Sequence, residues 1–165
     1  MDKRVLFVVN MQEYYVGKGR NQSEFPYDGE ELVNLINDRI KEYAPEEIYY
    51  IITTKKGLFG QSAPKEGTQE AGFPAKLKVI SKNIYQKHKP DAFTSVVLED
   101  VCRARMVKEI ELVGVDGVDV ASTAQGAIDC GISVIFNEKC IGQASVEKTK
   151  KIVMGLKKNK ISYME

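Results

Sequence analysis

The chain has 165 residues, 24 basic against 23 acidic, and a formal net charge of +1. That length suits one domain over 1–165 with a sizeable core. The near balance of charge removes any electrostatic case for nucleic acid or an anionic membrane as partner.

The first apolar run, RVLFVVN at 4–10, is too short for a signal-peptide core or a membrane span. Rich in valine, it reads as a strand buried on both faces, as in parallel sheets. It ends on an amide, Asn10, and Met11, Gln12, Glu13 and two tyrosines, Tyr14 and Tyr15, follow. Residues 28–43 predict a helix, with Leu32, Leu35, Ile36 and Ile40 on one stripe. EIYYIITT at 47–54 is the next strand. Residues 55–76 carry Gly57, Gly60, Gly67, Gly72, Pro64 and Pro74, a long irregular stretch of the kind that is functional or mobile. KLKVI (76–80) and NIYQK (83–87) predict short strands around a turn. From Ser95 to Lys108, Leu98, Val101, Cys102 and Met106 keep helical spacing, and IELVGV (110–115) is a strand. DVASTAQGAIDCG (119–131) predicts a helix with Val120, Ala124, Ala127 and Ile128 on one face, stopped by a left-handed Gly131. ISVIF (132–136) is a strand, 145–159 a lysine-rich helix with a solvated face, and ISYM (161–164) a last edge strand. No repeat, low-complexity tract or linker divides the chain.

Strands alternate with helices, so the fold class is α/β, three-layered, around a mostly parallel sheet. Ligands of such sheets bind beyond the carboxyl ends of the strands. That nominates Asn10, the loop after Thr54, and Asp116 to Asp119, around a small-molecule pocket between the ends of strands 1 and 4. Cys102, Cys130 and Cys140 are odd in number and contain no CxxC pair, which fits reduced thiols in a cytoplasm. Cys102 and Cys130 are expected as small core residues, Cys130 facing the sheet, and Cys140 is the candidate for a displaced nucleophile. His88 is the only histidine and reads as a surface residue, so no histidine cluster is available to a metal.

Three stretches in order resemble one family, the isochorismatase-like cysteine hydrolases, which include nicotinamidases, isochorismatases and carbamoyl-group hydrolases. VVNMQEYY resembles the first strand of that family, which ends in Asp-Met-Gln. KHKPDAF (87–93) resembles its lysine, four residues, then Ala-Phe. LVGVDGVDVASTAQGAIDCGISVIF (112–136) resembles its Gly-Val strand end, Cys-Val helix start and Thr-Ala pair. The resemblance covers roughly residues 4–140 and implies a six-stranded parallel sheet of order 3-2-1-4-5-6. It also implies a triad at the strand ends: an aspartate base, a lysine, and a cysteine at a helix start whose thiol is activated by the dipole and a cation, with backbone donors for the oxyanion.

Carried onto this chain, the acid position is Asn10 and the lysine position Lys87, with Lys89 as rival. The cysteine position is Asp119, counted back from Thr123-Ala124; counting forward from Gly114 gives Val120. Two of the three positions therefore depart from the family. The aspartate and histidines with which nicotinamidases bind metal after strand 2 are replaced by TTKKGLFGQ. A carboxylate at the helix start opposite Lys87 rearranges the charge of the site rather than erasing it, and Asp119 is also read as the helix N-cap.

The resemblance implies catalytic positions Asn10, Lys87 and Asp119, and a substrate lining of Gln12, Tyr15, Phe59, Phe93, Asp116, Gly117, Val118 and Val120. It implies hydrolysis of a small carbonyl or amide compound, with no cofactor and no metal. The alternative is a non-catalytic small-molecule binder or oligomeric scaffold that kept the pocket and lost the chemistry. A flavodoxin-like nucleotide binder is a third class, but no glycine-rich phosphate loop follows strand 1. A homo-oligomer is expected, with the tyrosine-rich second strand offering surface for it. The resemblance also raises a cis peptide between Val115 and Asp116 without the sequence deciding it.

Overall fold

The computed structural model describes residues 3–58 and 62–164. Six strands run in chain order: β1 Lys3–Val9, β2 Ile48–Thr53, β3 Ile84–Lys87, β4 Val107–Val115, β5 Ser133–Gly142 and β6 Ile161–Met164. They form one sheet of order β3-β2-β1-β4-β5-β6, and every pairing is parallel. Among the described residues five α-helices accompany them: α1 Glu13–Val16, α2 Gly29–Ile40, α3 Val96–Ala104, α4 Gly117–Asp129 and α5 Val146–Met154. No described helix is long and apolar enough to cross a membrane.

Alternation along β1 decides which helices cover which face. Val5, Phe7 and Val9 point to one side and pack with Leu98 and Cys102 of α3 and Val120, Ala124 and Ala127 of α4. Leu6 and Val8 point to the other and pack with Tyr15 of α1 and Leu32, Val33, Ile36 and Ile40 of α2. Each such side chain, fully withdrawn from water, contributes about 1.5–3 kcal/mol, so the central strands anchor the whole C-terminal edge of the sheet.

Several elements differ from the sequence-based expectation. KLKVI is not a strand. Most of its backbone bonds go to side chains: Lys78 N donates to Asn37 Oδ1 (2.8 Å), Lys76 O accepts from Asn37 Nδ2 (2.8 Å), and Ile80 N donates to the Tyr50 hydroxyl (3.1 Å), while Leu77 N donates to Pro74 O (3.0 Å). α3 stops at Ala104, and Met106, at φ 55°, turns the chain into β4, which begins at Val107. α4 begins at Gly117, so its N-cap is Asp116 and Asp119 is its third residue rather than its cap. Cys130 caps the far end of α4 and is exposed instead of facing the sheet. Cys140 lies within β5, buried in the α1–α2 core, where burial pushes its thiol up to about 11. It makes no hydrogen bond to Asn10, Lys87 or Asp119 among the described residues. Tyr49 and Tyr50 of β2 are both buried, so this strand offers no tyrosine surface for an oligomer.

Candidate functional site

Four adjacent chain segments end at the same edge of the sheet and bring four polar side chains together. Lys87 is the last residue of β3 and Thr53, its partner in register, the last of β2. Asn10 follows β1, and Asp119 sits in the first turn of α4, which follows β4. Asn10 has φ 53°, a left-handed conformation that asparagine tolerates better than most residues. Gly114 lets β4 pass close beside β1: at φ +120° a Cβ there would meet Val9 O at 2.0 Å. The peptide between Val115 and Asp116 is cis.

Asp119 Oδ2 accepts from both Lys87 Nζ and Asn10 Nδ2, each at 2.8 Å. Lys87 Nζ also donates to the Lys89 carbonyl at 3.0 Å. On the other side, Asn10 Oδ1 accepts from Thr53 Oγ1 at 2.6 Å. Asn10 and Thr53 are fully buried, Lys87 is 2 % exposed and Asp119 5 %. Burial pushes the Lys87 ammonium below its ordinary value, and the attraction of Asp119 opposes that shift. Charges this deep persist because they are paired and hydrogen-bonded. Asp119 uses only one oxygen in this way: Oδ1 accepts no hydrogen bond among the described residues, and the side chain keeps 7 % of its surface.

The turn that carries Lys89 is pinned to α4. Thr123 Oγ1 accepts from Ala92 N (3.1 Å) and donates to Pro90 O (3.3 Å). Asp91 accepts from Phe93 N (2.8 Å) and lies against Gly126, where a Cβ would come within 2.2 Å of Asp91 Oδ1. Burial holds the Asp91 carboxyl above its ordinary value.

The expected lining residues fall into distinct places. Gln12 is a brace between loops: Oε1 accepts from Thr53 N (2.9 Å) and Nε2 donates to Thr53 O (2.9 Å) and Ala71 O (3.0 Å). Its amide is spent, so it is corrected from ligand contact to support. Phe93 stacks on Phe7 at 5.9 Å in the core, and Val120 lies in the same core, so neither lines the site. Asp116, half-buried, accepts from Ala144 N at 2.7 Å and makes no side-chain bond to α4. The first backbone bond of α4 runs from Val120 N to Asp116 O (3.0 Å), which leaves the amides of Gly117, Val118 and Asp119 without partners inside the helix. Phe59 lies outside the described residues. Tyr15, 4 % exposed, has the only buried side-chain polar atom without a partner among the described residues. Its phenol lies near Thr53 and Asp119; burial first, and then the Asp119 charge, push it well above its ordinary value.

Sequence reasoning missed Thr53 and the Lys89 carbonyl. The signal for Thr53 was the polar pair Thr53-Thr54 closing an apolar strand; a carbonyl acceptor leaves no trace in side-chain pattern. His88 is exposed, with Nδ1 donating to Thr54 O at 2.9 Å. Among the described residues no three His, Cys, Asp or Glu converge on a metal position. The residues that close and follow β2 (Thr53, Thr54, Lys55 and Lys56) are a donor set that does not fit zinc.

A family model described as Isochorismatase domain matches residues 4–161. No curated protein matches the sequence. Among solved structures, an isochorismatase-like hydrolase from Alkaliphilus metalliredigens superposes with a TM-score of 0.79 at 19 % identity, covering 99 % of this chain and 93 % of its own. The pyrazinamidase of Pyrococcus horikoshii in complex with zinc gives 0.74 at 19 % identity, covering 99 % of each chain. The nicotinamidase of Bacillus subtilis gives 0.73 at 16 % identity, again covering 99 % of each. At these identities the likeness is one of fold.

Proposed function

This chain belongs to the isochorismatase domain family of hydrolases, and from that premise we propose that it binds a small molecule without thiol-dependent hydrolysis. The observation that carries this reading is the Lys87–Asp119 ion pair at 2.8 Å, buried and completed by Asn10. A carboxylate stands where the resembling family carries its nucleophilic thiol, and an amide stands where it carries its acid. The amide of Asn10 neither accepts nor releases a proton at neutral pH. None of Cys102, Cys130 and Cys140 has a place in this cluster: two are buried in α3 and β5, and the third caps the far end of α4. What persists is the binding half of the machinery, namely a helix start with unpartnered amides, a carboxylate oxygen and a phenol at one sheet edge.

A second reading has its own support. Asp119 Oδ1 accepts no hydrogen bond among the described residues and could take a proton from water or attack a carbonyl. The two readings separate in a hydrolysis screen of the purified protein on nicotinamide, carbamoyl compounds and isochorismate, with Asp119→Asn and Lys87→Ala alongside. The binder predicts no turnover above the variants. Turnover lost in both variants overturns it in favour of carboxylate-centred hydrolysis.

The reading places the protein in the cytoplasm, which suits three free cysteines. It also takes the protein to be a homo-oligomer, supported by the exposed Val79, Ile80 and Ile84 beside and on edge strand β3. Sedimentation at a single monomer mass would remove that part.

A further inference from the structure

A cavity of about 640 Å³ opens between α1, the loop after it, the start of α2 and residues 74–76. That volume suits a small-molecule site. None of Asn10, Thr53, Lys87 and Asp119 lines it. Val16 and Val33, both buried, give it an apolar wall. Six charged side chains also line it, three of each sign, so it carries no net charge. Four of the six are spent. Arg20 donates to the carbonyls of Gly17 (3.2 Å), Phe25 (3.1 Å) and Tyr27. Asp28 caps α2, accepting from Glu31 N at 3.0 Å. Lys76 and Glu30 pair with each other at 3.0 Å. Glu13 and Lys18 remain, a carboxylate and an ammonium whose side chains make no hydrogen bond or ion pair among the described residues. The place of Glu13 is prepared. It is half-buried, and the residue beneath its carboxylate is Gly17, at φ −70°, a backbone any residue adopts. A Cβ there would strike Glu13 Oε2, so the glycine is needed for room rather than for conformation.

We infer that this cavity is a second binding site, separate from the strand-end cluster, and that it takes a zwitterion with an apolar body, the class of the apolar amino acids. The ligand ammonium goes to Glu13, its carboxylate to Lys18, and its side chain against Val16 and Val33. Charge excludes the other classes. A cavity with three charges of each sign offers no net field to an anion or a cation, and either would pair only one of the two open groups. An apolar ligand without charged ends would draw Glu13 and Lys18 out of water unpaired. The inference goes beyond the strand-end reading and does not depend on it. Turnover in the hydrolysis screen would overturn the binder proposed above and leave this site untouched.

Titration calorimetry of the purified chain with L-leucine and L-phenylalanine tests it, and the first arm needs no variant. Both amino acids bind, while L-phenylalaninamide, which lacks the carboxylate, and N-acetyl-L-phenylalanine, which lacks the ammonium, bind at least about tenfold more weakly. In the second arm Glu13→Gln and Lys18→Met each weaken L-phenylalanine roughly three- to tenfold, and Asp119→Asn leaves its binding unchanged. No binding of either amino acid, binding of a derivative as tight as that of the parent, or binding undiminished in both charge variants overturns the inference. A loss in Asp119→Asn alone puts the ligand at the strand end and overturns it likewise.

Discussion

The molecule contains two buried clusters built from the same parts, and they are finished differently. On one face of the sheet, Glu111 of β4 meets a cation, Arg39, an asparagine, Asn137, and a phenol, Tyr43. At the C-terminal edge, Asp119 meets a cation, Lys87, an asparagine, Asn10, and a phenol, Tyr15. In the first cluster both carboxylate oxygens are used. Glu111 Oε1 accepts from Arg39 Nε (2.7 Å) and Asn137 Nδ2 (2.8 Å), and Oε2 from Arg39 Nη2 (2.9 Å) and Tyr43 Oη (2.5 Å). In the second, one carboxylate oxygen takes both bonds, the other takes none, and the phenol has no partner among the described residues. A polar cluster that closes its hydrogen bonds is part of the scaffold. The second leaves one carboxylate oxygen open at the strand end where the proposed ligand would sit.

The largest effect that sharpens this contrast comes from removing the cation of the closed cluster. Arg39→Met leaves Glu111 buried and short of two bonds, and should lower unfolding stability by about 3 kcal/mol in urea titrations. The figure sits at the low end for a buried pair, since a quarter of the arginine side chain is exposed. Lys87→Met keeps the volume and breaks the open pair. Asp119 retains solvent contact, so the loss should be smaller, about 2 kcal/mol. A Lys87 loss exceeding that of Arg39 would erase the distinction between the clusters. The two phenols give the next test. Tyr43→Phe strips a bond from Glu111 and destabilises by about 1–2 kcal/mol, whereas Tyr15→Phe removes a hydroxyl that makes no bond to Asp119 and should cost less. Equal losses would break the comparison outright.

The smallest effect concerns pH. Burial alone would raise the Glu111 carboxyl, but its bonds to Arg39, Tyr43 and Asn137 outweigh burial and hold it below its ordinary value of 4.5. The unfolded chain therefore binds more protons in the window just below 4.5, and stability rises with pH there. The contribution of Glu111 is fully present above that value and fades as the pH falls through the lower native one. Thermal unfolding of Glu111→Gln between about pH 5 and pH 3 should show a shallower acid slope than the native protein. An unchanged slope would show that Glu111 does not contribute to the acid response.

Much of the fold was legible because its strands are continuous apolar runs. RVLFVV, IYYII, ELVGV and SVIF are patterns that only a doubly covered sheet accommodates. KLKVI misled because it has strand composition, while its backbone is satisfied by Asn37 and Tyr50 from distant elements. The exposure of Cys130 depends on where α4 stops, which composition leaves open by about two residues. The convergence of Asn10, Lys87 and Asp119 was legible through the family resemblance, since strand ends alone nominated Asn10 and the 116–119 turn but not Lys87. The lining of the site was less so. Gln12 and Phe93 stand in plausible positions but spend their groups on the protein itself, and the single acid inside ELVGV gave no hint that Glu111 anchors a second cluster. The unpaired phenol of Tyr15 is a statement about missing partners, which no linear pattern contains.

Ammonia release from nicotinamide and carbamoyl compounds, measured for three proteins side by side, tests the central claim most directly. They are the native chain, Asp119→Asn, and the double variant Asn10→Asp with Asp119→Cys, which restores an acid and a thiol around Lys87. The account predicts that the native chain and Asp119→Asn are equally silent and that the double variant alone releases ammonia. Release by the native chain that disappears in Asp119→Asn would contradict it, and would make Asp119 the centre of a working hydrolase.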